Sequence, residues 1–307
     1  MNQKQITVNI EKVVDEILSD YKRGPVDLLS IGDADGEYCY LSTHRYSYIR
    51  TISDLVTYFT ETNINSIKVL EIGCFLGLVS MALSKLGFIV TVGDIKEFIS
   101  CKNLQYKFNK YNITYAELNL SDYKLPFNDE EYDAVIMCEV LEHLNFNPLP
   151  VIKEINRIIK PNGLFYLALP NIARLDNRLK MLQGKSIHNP IKGFFDQLGR
   201  NNNMIVGLHW REYATDEIKE MLEQMDFEVI KQKYDLEPGL TKIGLEKIIR
   251  KLIRRIINFE PIKKVIYRCI FDDPDSDPTL RNTQVNFALK KKECLKEFNF
   301  TDATLPK

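Results

Sequence analysis

Two sets of residues in this chain have types and spacing suited to chemistry. The first is the run EIGCFLG, Glu71 to Gly77, followed by Asp94 in VTVGDI. A strand ending in a tight turn lets backbone approach a charged, nucleoside-bearing ligand only where the residues are small, and Gly73 and Gly77 meet that need. An acid at the end of the next strand, about 20 residues on, suits hydrogen bonds to ribose hydroxyls. The alternative for the glycines is an ordinary strand-to-helix turn. A dinucleotide fingerprint would need glycines at 73, 75 and 78, where the chain has Gly73, Phe75 and Leu78, which argues against a NAD site.

The second set contains the four histidines, His44, His143, His188 and His209. A neutral imidazole suits a general base at ordinary pH. His143 stands in CEVLEHL directly after an apolar run, where it either serves chemistry or caps the following segment. That string is not the HExxH zinc motif, which needs two histidines one helical turn apart. Asn171, Arg174 and Arg178 follow the next apolar run. Two arginines there suit bidentate binding of a phosphate or carboxylate, or form the solvated face of a helix. FDDPDSDP (271–278) groups four aspartates, yet its prolines and the lack of an EF-hand pattern read as a solvated loop.

The elements that position these residues alternate in period. Residues 7–22 have helical apolar spacing, and a second helix spans 53–62; the aromatic stretch 27–50 is a hairpin or a loop and helix. From Ile67, strands IKVLEIG, FIVTVGDI, NITYAELNL, EYDAVIMCEV and GLFYLALPN alternate with helices at 78–87, 97–110 and one from Leu149 closed by a Pro-Asn-Gly turn at 161–163. After a polar insert reaching Gly207, helix TDEIKEMLEQM, with Thr215 as its N-cap, and strand FEVIKQKY follow. TQVNFALKKK is the final strand. This order predicts an α/β fold: a Rossmann-like, doubly wound, mostly parallel sheet with an antiparallel last strand. The divisions are an N-terminal helical cover (1–62), a core (63–236 plus 282–292), a C-terminal basic helical insertion (237–281) and a tail (293–307).

EIGCFLG, then GD, then ELNLSDYKLPFNDEEYDAVIMCEVLEHL, then EINRIIKPNGLFYLALPN resembles the ordered motif series of class I S-adenosylmethionine (SAM)-dependent methyltransferases over about residues 67–235 plus the last strand. The resemblance implies that Glu71, Gly73 and Gly77 hold the methionine portion of SAM, with Cys74 lining the loop. Asp94 would bind the ribose, Ile95 pack on the adenine, Asn119 and Leu120 meet its edge, and Glu139 open the loop near the sulfonium. The family usually has a glycine where Phe75 stands, which leaves room for a reshaped loop and for a non-catalytic SAM-binding partner subunit. His143 is similar to a histidine that faces the acceptor in relatives acting on sugars and small hydroxyls, and is the expected catalytic base for methyl transfer.

GLHWREYATDEI resembles a stretch ahead of the penultimate helix in bacterial methyltransferases. It offers His209, Arg211 and Tyr213 as acceptor contacts or as residues ordering the insert, with Tyr213 alternatively in the core. The N-terminal His44 and Arg45 carry the same two readings. PNIARLDNRLKMLQGK resembles a segment of methyltransferases linked to surface polysaccharides, so the expected activity is O-methylation of a bacterial sugar, polysaccharide or phosphorylated glycan precursor. The alternative is N- or O-methylation of a small metabolite.

Composition bounds the rest. Net charge is −1, so no overall field favours nucleic acid, which is not expected as a partner. Six cysteines without a CxxC pair argue against a zinc site and a disulfide framework, and no metal is expected. No run of about 18 apolar residues and no signal segment occurs, so a cytoplasmic protein is expected. In 245–257, isoleucines at helical spacing alternate with lysines and arginines. Such a helix lies on the inner face of an anionic membrane, packs on the core, or joins a homodimer.

Overall fold

The computed structural model describes residues 3–24, 26, 34–197, 208–235 and 283–292. Its strands are β1 (Lys68–Ile72), β2 (Ile89–Asp94), β3 (Thr114–Glu117), β4 (Tyr132–Cys138), β5 (Ile159–Pro170), β6 (Phe227–Asp235) and β7 (Thr283–Lys290). They form one sheet in the order β3-β2-β1-β4-β5-β7-β6. The β3/β2, β2/β1, β1/β4 and β4/β5 pairs are parallel, whereas β7 runs antiparallel to both β5 and β6. The expected fold class is therefore the one observed.

The strands alternate between two cores, as a pleat of period two requires. Val69, Ala134, Ile136 and Tyr166 face one side; Leu70, Ile72, Val135, Met137 and Phe165 face the other. The first face is covered by α1 (Gln3–Arg23), α2 (Ala34–Thr43), α3 (Arg45–Tyr58), α4 (Leu78–Lys85) and part of α6 (Lys102–Lys110). The second is covered by α7 (Leu149–Ile158) and α10 (Thr215–Gln224). Short helices α5 (Lys96–Ile99), α8 (Leu175–Leu182) and α9 (Ile191–Gln197) complete the described set. None of the described helices is long and apolar enough to cross a membrane.

Several boundaries differ from expectation. In residues 34–58 the chain is helical, so the hairpin alternative falls; Leu41, Ile52 and Leu55 are buried with Ile10, Val14 and Ile17 of α1. The N-terminal helices therefore wall the first core itself, and the Tyr21 hydroxyl donates to the carbonyl of Leu76 in the glycine loop. The helix expected to be closed by a turn at Pro161, Asn162 and Gly163 ends at Ile158, and that turn falls within β5 instead, because Pro161 disfavours helical backbone at the residue before it. The helix expected over 97–110 is broken at Ser100–Cys101. Ala214, not Thr215, occupies the N-cap of α10: its N–H donates to Glu217 Oε2 at 2.8 Å, while Thr215 Oγ1 accepts from Tyr234. The basic stretch 245–257, the 271–278 aspartates and the 293–307 tail lie outside the described residues.

Candidate active site

The loop between β1 and α4 lies where strand order reverses on either side of β1, the position at which open α/β sheets bind ligands. Gly73 has φ +74° and Gly77 φ +69°, both in the left-handed region that favours glycine. A Cβ at Gly73 would stand 2.2 Å from Val140 Cγ2, and one at Gly77 2.4 Å from Phe108 Cε1. Gly73 thus admits the β4 exit segment against the loop as well as making the turn. Gly73→Ala is expected to lose about 2–4 kcal/mol of stability through backbone strain and overpacking, read by urea unfolding. A loss within experimental error would show that Val140 moves aside.

Phe75 has φ +49°, so the backbone keeps the path a glycine would take. Its ring packs edge-on against Tyr40 (5.3 Å between centroids) and Phe98 (5.2 Å). Phe75 thus holds a backbone conformation that favours glycine. The His44 ring meets Tyr40 at a tilt with centroids 4.3 Å apart, which brings it near this cluster. Arg45 instead forms a two-pronged ion pair with Asp15 of α1, at 2.6 and 2.8 Å.

Asp94 is the loop's organiser. Its Oδ2 accepts the Phe75 N–H and its Oδ1 the Ile95 N–H, each at 2.7 Å. A carboxylate has about four acceptor sites, so with these two N–H groups and the Cys74 thiol as donors it still has acceptor capacity for a hydroxyl. Glu71 is buried and accepts from Ser80 Oγ. Burial pushes the Glu71 carboxyl up to about 7 and Asp94 up to about 6; the neighbouring Asp94 raises Glu71 further, while the two N–H bonds hold Asp94 down. Two buried carboxyls short of donors suit a ligand that brings a cationic amine and ribose hydroxyls, so the residues fit SAM. Cys74 lines the same loop, its thiol pushed well up by burial.

These shifts fix a pH dependence. Between the ordinary glutamate range and about pH 7, Glu71 is protonated in the folded chain and ionised in the unfolded one. Its contribution to stability is full at acid pH and is lost as pH rises through that window. Glu71→Gln is therefore expected to gain about 2–3 kcal/mol relative to wild type between pH 5 and pH 8, measured by denaturant unfolding without ligand. A pH-independent difference would contradict the raised value.

The second part of the site follows β4. Glu139, with φ +54°, donates its N–H to Ala168 O and opens the turn Leu141–His143. Glu142 is fully buried, and neither carboxylate oxygen has a hydrogen-bond partner among the described residues. Burial first, and the Glu139 carboxyl second, push its pKa well up. The Glu142 carbonyl accepts the N–H groups of Trp210 and Arg211, fastening segment 208–213 across the turn. His143 Nδ1 lies 2.9 Å from Leu208 O and His209 Nδ1 2.9 Å from Glu212 Oε1. Both acceptors are oxygens, so each Nδ1 carries the proton and each Nε2 the lone pair. The two rings meet edge-to-face at 4.9 Å, and burial lowers the His143 pKa, which keeps it neutral.

The other expected residues divide. Ile95 is half-buried at the head of α5, and Leu120 packs against the second core. Asn119 is spent on its own turn, accepting from Ser121 and donating to Asp122. Arg174 pairs with Asp176 and Glu212, and Arg178 Nε donates to Ala173 O, which leaves the phosphate-clamp expectation without support from Arg174. Arg211 pairs with Glu217 and covers the Tyr213 ring. Tyr213 is buried in the second core, the alternative its sequence allowed. Sequence reasoning missed Glu142; its signal was a second acid within CEVLEHL, directly before the candidate base.

Residues 40–232, more than half of the chain, match the family described as a methyltransferase domain. The chain belongs to the class I SAM-dependent methyltransferases. It is 31% identical over 140 residues to the ubiquinone biosynthesis O-methyltransferase of Rickettsia akari (strain Hartford), covering 45% of this chain and 53% of that protein. It is 30% identical over 118 residues to the mitochondrial protein of that description from Dictyostelium discoideum, covering 35% and 36%. The chain thus spans about half the length, or less, of these curated relatives. A putative sarcosine dimethylglycine methyltransferase from Galdieria sulphuraria shares the fold, with a TM-score of 0.50 at 17% identity over 81% of this chain and 89% of that one.

Proposed function

We propose that the chain methylates a hydroxyl oxygen of a small-molecule acceptor, using SAM as donor. The observation that carries this reading is the pairing of a cofactor-type loop with the adjoining Glu142–His143–His209 group, whose two Nε2 lone pairs and buried carboxyl can hold and deprotonate a hydroxyl. When bound, SAM supplies an electrophilic methyl group on a sulfonium. Asp94 and Glu71 would hold its ribose and amine, and Gly73, Cys74 and Gly77 line the loop beside it. His143, fixed through Nδ1, presents Nε2 to the acceptor proton. Leu208, Trp210 and Arg211 hold the segment that carries His209 over the site.

Two relatives named as O-methyltransferases support oxygen as the methylated atom. The acceptor class is tested by incubating the chain with SAM and panels of phenolic, catecholic and sugar hydroxyl compounds, then seeking gain of one methyl group by mass spectrometry. Methylation of hydroxyl compounds is expected, and the panel that reacts decides between an aromatic metabolite and the glycan precursor suggested by the sequence. Transfer to amines alone would overturn the reading. SAM binding without transfer to any acceptor would favour a binding subunit.

A further inference from the structure

We propose that the cavity of about 400 Å³ between the C-terminal end of α1 and the face of α6 binds a phosphoryl group, and that a group bound there steadies the glycine loop. Asp20 and Arg23 of α1 line it from one side, and Asn103, Tyr106, Lys107 and Lys110 of α6 from the other. Positions 103, 107 and 110 fall on one face of a helix, so α6 presents them together. None of the residues assigned to SAM lines this cavity.

The cavity holds more positive charge than its own carboxyl can answer. Asp20 is the one acid among the lining residues, and three cations share it: Lys110 Nζ at 2.8 Å, Lys107 Nζ at 3.5 Å and Arg23 Nη2 at 4.0 Å. Lys107 is the least well served. Its side chain is 8% exposed, and its ammonium reaches Asp20 O at 3.4 Å and Asp20 Oδ2 at 3.5 Å, both long for hydrogen bonds. An ammonium has three protons to donate, and a buried charge is costly unless it is well paired. Burial holds the Lys107 pKa down; Asp20 raises it, while Lys110 and Arg23 lower it further. An anion among these three cations supplies the contacts that Asp20 cannot share out.

The chemistry selects a phosphoryl group. It carries close to two negative charges near neutral pH and three strong acceptor oxygens, which matches two surplus cations and a buried ammonium better than a carboxylate does. Tyr106 is 72% exposed beside them and offers a ring to whatever an esterified phosphate carries.

The cavity reaches the cofactor loop through two contacts. Lys107 Nζ lies over the Tyr21 ring, 4.3 Å from its centroid, and the Tyr21 hydroxyl donates to Leu76 O. Phe108, the next residue of α6, packs so closely on Gly77 that a Cβ there would stand 2.4 Å from its ring. An anion that fixes Lys107 over Tyr21 thus supports the turn from behind. This coupling rests on the SAM reading of the loop; phosphoryl binding does not.

The test titrates the full chain at low ionic strength with inorganic phosphate by calorimetry, with and without saturating S-adenosylhomocysteine. One phosphate per chain is expected below about 1 mM, about fivefold tighter when S-adenosylhomocysteine is bound. Lys107→Gln is expected to weaken phosphate binding about tenfold. Arg23→Gln and Lys110→Gln, on more exposed side chains, are each expected to weaken it about threefold and remain informative if Lys107→Gln fails to fold. Lys85→Gln, an equal charge change at a residue paired with Glu16 outside the cavity, is expected to leave it unchanged. Tyr21→Phe is expected to keep phosphate binding and lose the fivefold coupling. Phenyl phosphate binding more tightly than inorganic phosphate assigns the site to a phosphate ester, and the reverse order to the free ion. Absence of phosphate binding below about 1 mM, its abolition by S-adenosylhomocysteine, or equal weakening by Lys85→Gln and Lys110→Gln overturns the site. Phosphate affinity that S-adenosylhomocysteine does not alter overturns the coupling and leaves the site. Phosphate binding by a chain that does not bind S-adenosylhomocysteine supports the site and overturns the SAM reading of the loop.

Discussion

Asp94→Ala is expected to weaken S-adenosylhomocysteine binding by about 100-fold or more and to destabilise the loop by about 2–3 kcal/mol. The effect is large because one side chain does three things. Its two oxygens hold the N–H groups of Phe75, in the loop after β1, and Ile95, directly after β2, each at 2.7 Å. Its remaining acceptor sites would take the ribose hydroxyls. Alanine removes the ribose acceptors and leaves two N–H groups without their partner, one in a residue already held at positive φ. Asp94→Asn keeps one acceptor oxygen but turns an NH2 toward one of the N–H donors, so an intermediate loss is expected. Calorimetric titration with S-adenosylhomocysteine, alongside thermal unfolding, separates binding from stability. Asp94→Ala binding nearly as tightly as wild type would remove Asp94 from the cofactor site.

His143→Ala is expected to lower methyl transfer by about 10²–10⁴-fold while changing cofactor affinity little. The separation follows from position. His143 makes its fixed contact with Leu208 O and its ring contact with His209, and neither group belongs to the glycine loop. The lost hydrogen bond is worth about 1 kcal/mol of stability, too little to unfold the chain. Single-turnover rates with a reactive acceptor, combined with titration of the cofactor product, provide the check. A rate close to wild type would return His143 to the capping role that its sequence position also allowed.

The two halves of the site were unequally legible. The cofactor half is written locally: Glu71, Gly73 and Gly77 lie within seven residues at a strand end, and Asp94 ends the strand paired with it. Strand period and glycine geometry are local properties, so sequence reveals them. The acceptor half depends on a meeting across the chain, where segment 208–213 docks on the Glu142 carbonyl more than 60 residues away. Periodicity carries no information about that contact, so neither the burial of Glu142 nor the pairing of Arg174 with Glu212 is legible in the sequence. The boundary errors have the same origin. Pro161 overrides the helical apolar spacing that precedes it, and α2 and α3 are helical because they close the first core rather than through strong local amphipathicity.

The most direct measurement of the central claim is transfer of an isotopically labelled methyl group from SAM to hydroxyl acceptors by the wild-type chain, read by mass spectrometry of the product with Asp94→Ala and His143→Ala run in parallel. A labelled methyl ether from wild type, greatly reduced in both variants, is the predicted result. Label that reaches no acceptor oxygen, or reaches it equally well in both variants, would contradict the assignment of this site to O-methylation.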